Sequence, residues 1–240
     1  MTGPSAVILA GGRGTRLRPL TTLIPKPLVP IGSRHSILDI AIAQLAAAGF
    51  SHIWIAVGHL SHLIRATIGD GCRWGVDITY IEENEPLGTA GPLTGIDDLP
   101  EHFLVMNGDV LCDVDPAELV REHAASRASL TVTAVEREVR HDYGVLSLDD
   151  GAVRAFDEKP VEHFYVSAGI YVVDRALIRR YPRNEAVGFD SLIRDRIDAS
   201  DPPAVHVHRG IWFDVGRPGD YDEVNADAEG LIAKLLRRVP

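Results

Sequence analysis

The residues best suited to chemistry lie near the amino terminus, where Leu9-Ala10-Gly11-Gly12-Arg13-Gly14-Thr15-Arg16-Leu17-Arg18-Pro19-Leu20 is followed by Pro25-Lys26-Pro27-Leu28. An apolar run, Ala6-Val7-Ile8-Leu9, precedes the glycines and reads as a buried strand. The glycines therefore fall where a strand opens into a loop and backbone N–H groups can approach a phosphate closely. Residues 1–38 hold Arg13, Arg16, Arg18, Lys26 and Arg34 and no Asp or Glu, in a chain whose formal net charge is -10. A basic island in an acidic chain fits a small polyanion such as a nucleotide or sugar phosphate, whereas a nucleic-acid surface needs basic residues spread over a face. Two well-known phosphate loops are excluded by spacing. No Gly-Lys-Ser/Thr follows the first glycine, as a Walker A loop requires, and Leu17 stands where the dinucleotide fingerprint needs its third glycine.

The elements that must position this loop follow a βαβ rhythm. Ser36-x-x-Asp39 reads as a capping box opening a helix whose apolar face is Leu38, Ala41, Ile42, Leu45 and Ala48, ending at Gly49. A buried strand at Ile53–Val57, a helix over Ser61–Ile68, a turn at Gly69-Asp70-Gly71 and a strand over Val76–Ile81 continue the alternation. A third helical segment is predicted after Gly88, then a central strand Phe103–Met106 running into Asn107-Gly108-Asp109. Such alternation implies a mostly parallel sheet whose ligands sit outside the carboxyl ends of its strands, which is where Gly11 and Asp109 fall. The second half reads as mixed: antiparallel hairpins from Leu130–Val135, Tyr143–Leu148 and Val153–Asp157, then strands at Ala168–Val173 and Ile211–Asp214. A final helix is predicted from Pro218, with Asp220 and Asp222 near its start and Lys234, Arg237 and Arg238 near its end.

Composition bounds the rest. With 240 residues, 45% apolar and 24% charged, one α/β domain is expected, divided into a nucleotide-binding half at about 1–112 and a substrate half at about 113–240 that share one cleft. Cys72 and Cys112 are too few for a disulfide framework and lack metal-ligand spacing, which favours a reduced, cytoplasmic setting and a packing role. No secretory signal pattern or 18-residue apolar run is present, so neither export nor a membrane is expected. The histidine pairs His59-x-x-His62 and His206-x-His208 lack a third ligand and are assigned no site.

With these motifs in view, the chain resembles the sugar-1-phosphate nucleotidylyltransferases, the nucleotide-sugar pyrophosphorylases. The similar segments run in family order over nearly the whole chain. Besides the glycine loop and Pro25-Lys26-Pro27 they are Gly69-Asp70-Gly71 with Trp74-Gly75, Glu85-Pro86-Leu87-Gly88-Thr89-Ala90-Gly91, Asn107-Gly108-Asp109, Tyr143-Gly144-Val145, Glu158-Lys159-Pro160, Ala168-Gly169-Ile170-Tyr171 and Trp212-x-Asp214-x-Gly216. The look is nearest to the mannose-1-phosphate and D-glycero-D-manno-heptose-1-phosphate guanylyltransferases. The resemblance implies a Rossmann-like, mostly parallel sheet flanked by helices with a mixed antiparallel sugar-binding part. It also implies an enzyme that joins a nucleoside triphosphate to a sugar 1-phosphate and releases pyrophosphate. A C-terminal β-helix domain is not expected, because no hexapeptide repeat is present. The expected partners are the two substrates, with no nucleic acid and no membrane, and the resemblance is compatible with a homodimer.

Residue by residue, the resemblance makes Leu9, Ala10, Gly11, Gly12, Gly14 and Thr15 a nucleotide cradle, together with Gly88 and Thr89. Arg16 would hold the departing phosphates, Lys26 the α-phosphate and Lys159 the sugar phosphate. Asp109 and Asp214 match magnesium ligands, hard oxygen donors that Mg2+ prefers. Asn107, Gly144, Glu158, Ser167 and Gly169 would meet the sugar. Taken singly, Lys26 reads as an exposed lysine in a polyproline-like stretch, Asp109 as a turn residue and Asp214 as a helix cap. Glu83 stands where many thymidylyl and uridylyl relatives carry glutamine. An ionised carboxylate only accepts, and guanine offers it paired donors at N1 and the 2-amino group, so GTP is favoured. Ser167 replaces an asparagine of many relatives and leaves room for a larger or manno-configured sugar. Two alternatives stay open: a UTP- or dTTP-using transferase, such as a uridylyltransferase for an amino-sugar phosphate, and a non-catalytic regulatory paralogue that binds nucleotide-sugar. An alditol phosphate or phosphocholine is a further possible acceptor.

Overall fold

The computed structural model describes residues 3–237 apart from residue 84. Alternation of the apolar side chains builds a sheet buried on both faces. Strand β1 (Ser5–Leu9) sends Ala6 and Ile8 to one side and Val7 to the other, and residues 102–107 split in the same way, Leu104 and Met106 against Phe103 and Val105. Such double burial is what a sheet covered on two faces requires.

In chain order a small hairpin, β2 (Pro30–Ile31) and β3 (His35–Ser36), precedes α1 (Ile37–Ala47), β4 (His52–Val57), α2 (Ser61–Ile68), β5 (Asp77–Glu82), β6 (His102–Asn107) and β7 (Val110–Cys112). Then come α3 (Pro116–Ala125), β8 (Leu130–Arg140), β9 (Gly144–Asp149), β10 (Ala152–Glu158) and β11 (Val161–Asp174). The chain ends in α4 (Arg175–Ile178), α5 (Phe189–Asp198), β12 (Ala204–His208), β13 (Trp212–Asp214), α6 (Pro218–Ala226) and α7 (Ala228–Arg237). The main sheet has seven strands in the order β12-β8-β11-β6-β1-β4-β5. Within it β1, β4, β5 and β6 pair in parallel, and β11 alone runs against both its neighbours. The expected parallel half and mixed half are both present.

Helix α1 begins as its capping box dictates, with Ser36 Oγ accepting from Asp39 N and the Asp39 carboxylate accepting from Ser36 N at 2.8 Å. Its buried residues divide between two cores. Leu38, Ala41, Ile42 and Leu45 pack on the sheet, while Ile37 and Ile40 join Leu17, Leu111, Val215, Val224, Leu231 and Leu235 in a third cluster. That cluster fastens α6 and α7 beneath the basic loop. Among the described residues no helix is long and apolar enough to cross a membrane.

Three expectations are corrected. Of the three segments expected as antiparallel hairpins, only β9 and β10 pair as one; β8, expected to share in the hairpins, joins the main sheet between β11 and β12. The helical segment after Gly88 is only a 3-10 turn, Gly91–Gly95, where Pro92 and the flanking glycines disfavour a longer helix. The final helix is two, because the backbone breaks at Asp227, whose carboxylate accepts from Gly230 N at 3.2 Å and so caps α7 afresh; Arg238 lies outside the described residues. Helices α3, α4 and α5 and strand β12 are additions, and the strand expected at Ala168–Val173 is the inner half of the 14-residue β11. Cys112 is buried, which pushes its thiol up to about 12, so it packs and does not react.

Candidate active site

Parallel strands β1 and β6 are neighbours at the centre of the sheet, with β4 and β5 lying on the far side of β1. The connections leave β1 and β6 in opposite directions, and a crevice opens outside their carboxyl ends. The crevice holds a cavity of about 530 Å³. Leu9, Gly11, Gly12, Glu83, Gly88 and Thr89 of the expected nucleotide set line it together, and so do Asp109 and, from the expected sugar set, Asn107. Close approach explains Gly11, since a Cβ there would fall on Glu83 Oε1. The other oxygen of Glu83 accepts from Leu87 N at 3.3 Å, and burial pushes this carboxyl above the usual range.

Ala10, Gly14 and Thr15 serve differently. Ala10 is buried and donates its N–H to Ala56 O at 2.8 Å. Gly14 opens the 3-10 turn Thr15–Leu17 and accepts from Thr21 Oγ1 at 2.6 Å, so these residues shape the loop without lining the cavity. Arg13, Gly58, His59, Glu85 and Pro86 also line the cavity and were not predicted. Gly58 and His59 directly follow β4, which lies beside β1, so the strand-end rule that found Asp109 also applies to them.

The two aspartates are more than a hundred residues apart in sequence and are joined by a short antiparallel ladder. Strands β7 and β13 pair Val110 with Asp214, and Val215 N donates to Asp109 O at 3.0 Å. Lys26 enters between them. Its ammonium is hydrogen-bonded to Asp109 Oδ2 and lies 3.8 Å from Asp214 Oδ1. The side chain is only 9% exposed, so the exposed-lysine reading fails; a 3-10 turn at Lys26–Leu28 points it inward. Burial first, and then the Asp109 charge, raise the Asp214 carboxyl above its ordinary range against the pull of Lys26 and Arg16. Two carboxylates held together by this ladder, Asp109 on the first cavity and Asp214 on a second, offer the hard oxygen donors that suit a divalent cation such as Mg2+.

On the other side of Asp214 lies a second cavity of about 610 Å³, lined by Arg16, Ser167, Trp212, Arg217 and others. Arg137, Glu138, Phe164, Asp220 and Glu223 belong to this wall and were not predicted: Arg137 and Glu138 sit where β8 runs past its apolar stretch, Phe164 on the outer half of β11, and Asp220 and Glu223 on α6. Ser167 Oγ is hydrogen-bonded to Tyr171 Oη at 2.9 Å, and Trp212 Nε1 donates to Ala168 O at 2.9 Å. Two cavities with cations and carboxylates at their junction can hold two phosphorylated molecules end to end.

Residues 5–230 match the family model described as nucleotidyl transferase. The chain belongs to this family. It is 38% identical over 231 residues to a mannose-1-phosphate guanyltransferase of Yarrowia lipolytica, covering 90% of this chain and 61% of that protein. It is 32% identical to a mannose-1-phosphate guanylyltransferase of Mycobacterium tuberculosis, covering 92% and 64%. The chain thus spans less than two thirds of the length of these relatives. HddC from Yersinia pseudotuberculosis, in a crystal structure with GMP-PN, has the same fold at TM-score 0.70 and 25% identity, covering 93% of this chain and 98% of that one.

The remaining predicted residues lie apart from both cavities of this nucleotidyl transferase domain. Gly144 and Glu158 pair across the β9–β10 hairpin, with Lys159 at its end in a left-handed conformation, and all three are exposed. Gly169, at φ +72°, lets the chain pass Asn107, whose Nδ2 would be 2.5 Å from a Cβ there. It therefore supports Asn107 from behind.

Proposed function

We propose that this chain transfers a nucleotidyl group from GTP to a manno-configured sugar 1-phosphate, giving a GDP-sugar and pyrophosphate. The observation that carries this reading is Lys26 buried between Asp109 and Asp214 at the junction of two cavities, one walled by Gly11 and Glu83 and the other by Arg16 and Ser167. An oxygen of the sugar phosphate attacks the α-phosphorus as the bond from that phosphorus to the bridging oxygen of the β-phosphate breaks, and the electron pair leaves with pyrophosphate. The nucleophile is already anionic at neutral pH, so alignment and charge neutralisation accomplish the reaction without a general base.

The first cavity takes the nucleotide, with Gly11 and Gly12 N–H groups toward its phosphates and the ionised Glu83 accepting from guanine N1–H and the 2-amino group. The second takes the acceptor, with Ser167 beside the ring; Arg16, which also lines it, holds the departing phosphates where the two cavities meet. Lys26 holds the reacting phosphates in line. Asp109 and Asp214 would hold a divalent cation, Mg2+ by their donor chemistry, which when bound neutralises phosphate charge. The roles of Lys159, Glu158 and Gly144 at the sugar rest on the resemblance alone.

The deciding experiment crosses GTP, UTP and dTTP with mannose, heptose and glucose 1-phosphates, with and without Mg2+, and scores pyrophosphate release. GTP with a manno-configured acceptor and Mg2+ should be the fastest combination. A preference for UTP or dTTP would overturn the guanylyl assignment, and no pyrophosphate from any combination would leave a binding protein. Asp109→Asn and Asp214→Asn should each fold and lose activity by about 100-fold or more. Normal turnover by both would remove the metal assignment.

A further inference from the structure

At the strand ends opposite the crevice, two imidazoles and a carboxylate converge from three elements. His102 opens β6, His123 lies in the last turn of α3, and Asp174 closes β11. Because β11 runs antiparallel to β6, Asp174 and His102 are direct partners in the ladder. Asp174 Oδ1 lies 2.6 Å from His102 Nδ1 and 3.0 Å from His123 Nε2, and the ligating atoms of all three residues fall within 4.8 Å of one another. Nothing in the proposed transfer reaction uses them.

Three details distinguish this cluster from an incidental contact. His123 has a wholly buried side chain, and its second ring nitrogen, Nδ1, sits 2.8 Å from Thr131 Oγ1. A threonine hydroxyl donates or accepts, so it fixes this ring equally well when Nε2 carries a proton and when Nε2 offers a lone pair. Asp174 occupies the N-cap position of α4 yet its side chain makes no capping hydrogen bond there. An aspartate at that position ordinarily accepts from free helix N–H groups; this one is turned to the imidazoles instead. Finally, His102 and Asp174 are 29% and 26% exposed, which leaves a path from solvent and room for water beside a buried third ligand.

We propose that His102, His123 and Asp174 form a second metal site that takes a borderline transition-metal dication of the zinc class, with water completing its coordination. Two imidazoles with one carboxylate select Zn2+, Co2+ or Ni2+ over the Mg2+ that suits Asp109 and Asp214. Bonds of ~2.0–2.1 Å at tetrahedral angles set ligand atoms ~3.3 Å apart, so the 2.6 Å separation of Asp174 from His102 must open by about 0.7 Å and the 3.0 Å separation from His123 by about 0.3 Å, shifts that side-chain rotation supplies. The ion replaces the protons now shared between the rings and Asp174. Binding therefore releases or relocates protons and weakens as pH falls. Its effect is to fasten α3 to β6 and β11, far from the reacting phosphates.

The test is a Co2+ titration of the chelator-stripped full chain, followed by visible absorption. One equivalent should bring up the d–d bands of low-coordinate cobalt, and Zn2+ should abolish them. His102→Ala and Asp174→Asn should weaken binding by roughly tenfold or more, while Asp109→Asn keeps the bands, which separates this site from the carboxylates of the crevice. Zn2+ should also raise the melting temperature of the unmodified chain and not that of the two variants. Absence of the bands in the unmodified chain overturns the proposal, and so does their survival at undiminished affinity in both variants.

Discussion

Glu83, proposed above to read guanine, also bears on stability. Burial raises its carboxyl pKa in the folded chain, so between the unfolded and folded values the folded state binds more protons, and stability falls as pH rises through that window. Glu83→Gln removes this cost. Its melting temperature at neutral pH should match or exceed that of the unmodified chain while its preference for GTP over UTP collapses; a lower melting temperature with the preference intact would refute both halves. For the same reason KM for GTP should climb on acidification at a higher pH than an ordinary glutamate would give, and Glu83→Gln should flatten that rise. Gly11→Ala reaches the same carboxylate from the other side, since its methyl would fall on Glu83 Oε1. The fold should survive with KM for GTP raised by roughly tenfold, the value of one displaced charge-assisted pairing. Lys26→Met keeps the volume but leaves Asp109 and Asp214 facing each other, so kcat should fall ~100-fold or more and circular dichroism should still report a folded chain.

Among the elements, β11 and the β7–β13 ladder matter most. At Gly169 the pairing of β11 with β8 shifts register between Ser167 and Tyr171, and the positive φ lets the backbone clear Asn107. Gly169→Ala should cost ~1–2 kcal/mol in left-handed strain alone and more from the contact, lowering the melting temperature by ~2–4 °C for each kcal/mol. On the proposed reading it should also raise KM for GTP, because Asn107 lines the first cavity. Ser167→Asn, assayed against mannose and heptose 1-phosphates, tests the acceptor wall. A longer amide in place of the hydroxyl bonded to Tyr171 should change the ratio of their kcat/KM values, and an unchanged ratio would remove position 167 from sugar selection.

For the molecule as a whole, the parallel half was legible because alternation and turn chemistry agree there. Ser36 and Asp39 cap α1 as their spacing says, and the strand-end rule led directly to Gly11 and Asp109. The second half was less legible because its decisive facts are non-local. No local pattern announces that β7 and β13 pair, that Asp227 interrupts a helix, or that a lysine among prolines is buried against two aspartates. His102, His123 and Asp174 lie too far apart in sequence for any ligand spacing to reveal them. Strand β11 carries one more consequence. Its inner residues from Ala168 are buried between β6 and β8, whereas Val161–Ser167 pairs with β8 alone and stands largely in solvent. One continuous strand should therefore show two amide hydrogen-exchange regimes, fast before Ser167 and slow from Ile170, readable by mass spectrometry of peptides split at that point. The same division separates what evolution can rewrite: the outward half can accumulate substitutions that reshape the wall of the second cavity, while the inward half, packed between β6 and β8, keeps the fold intact.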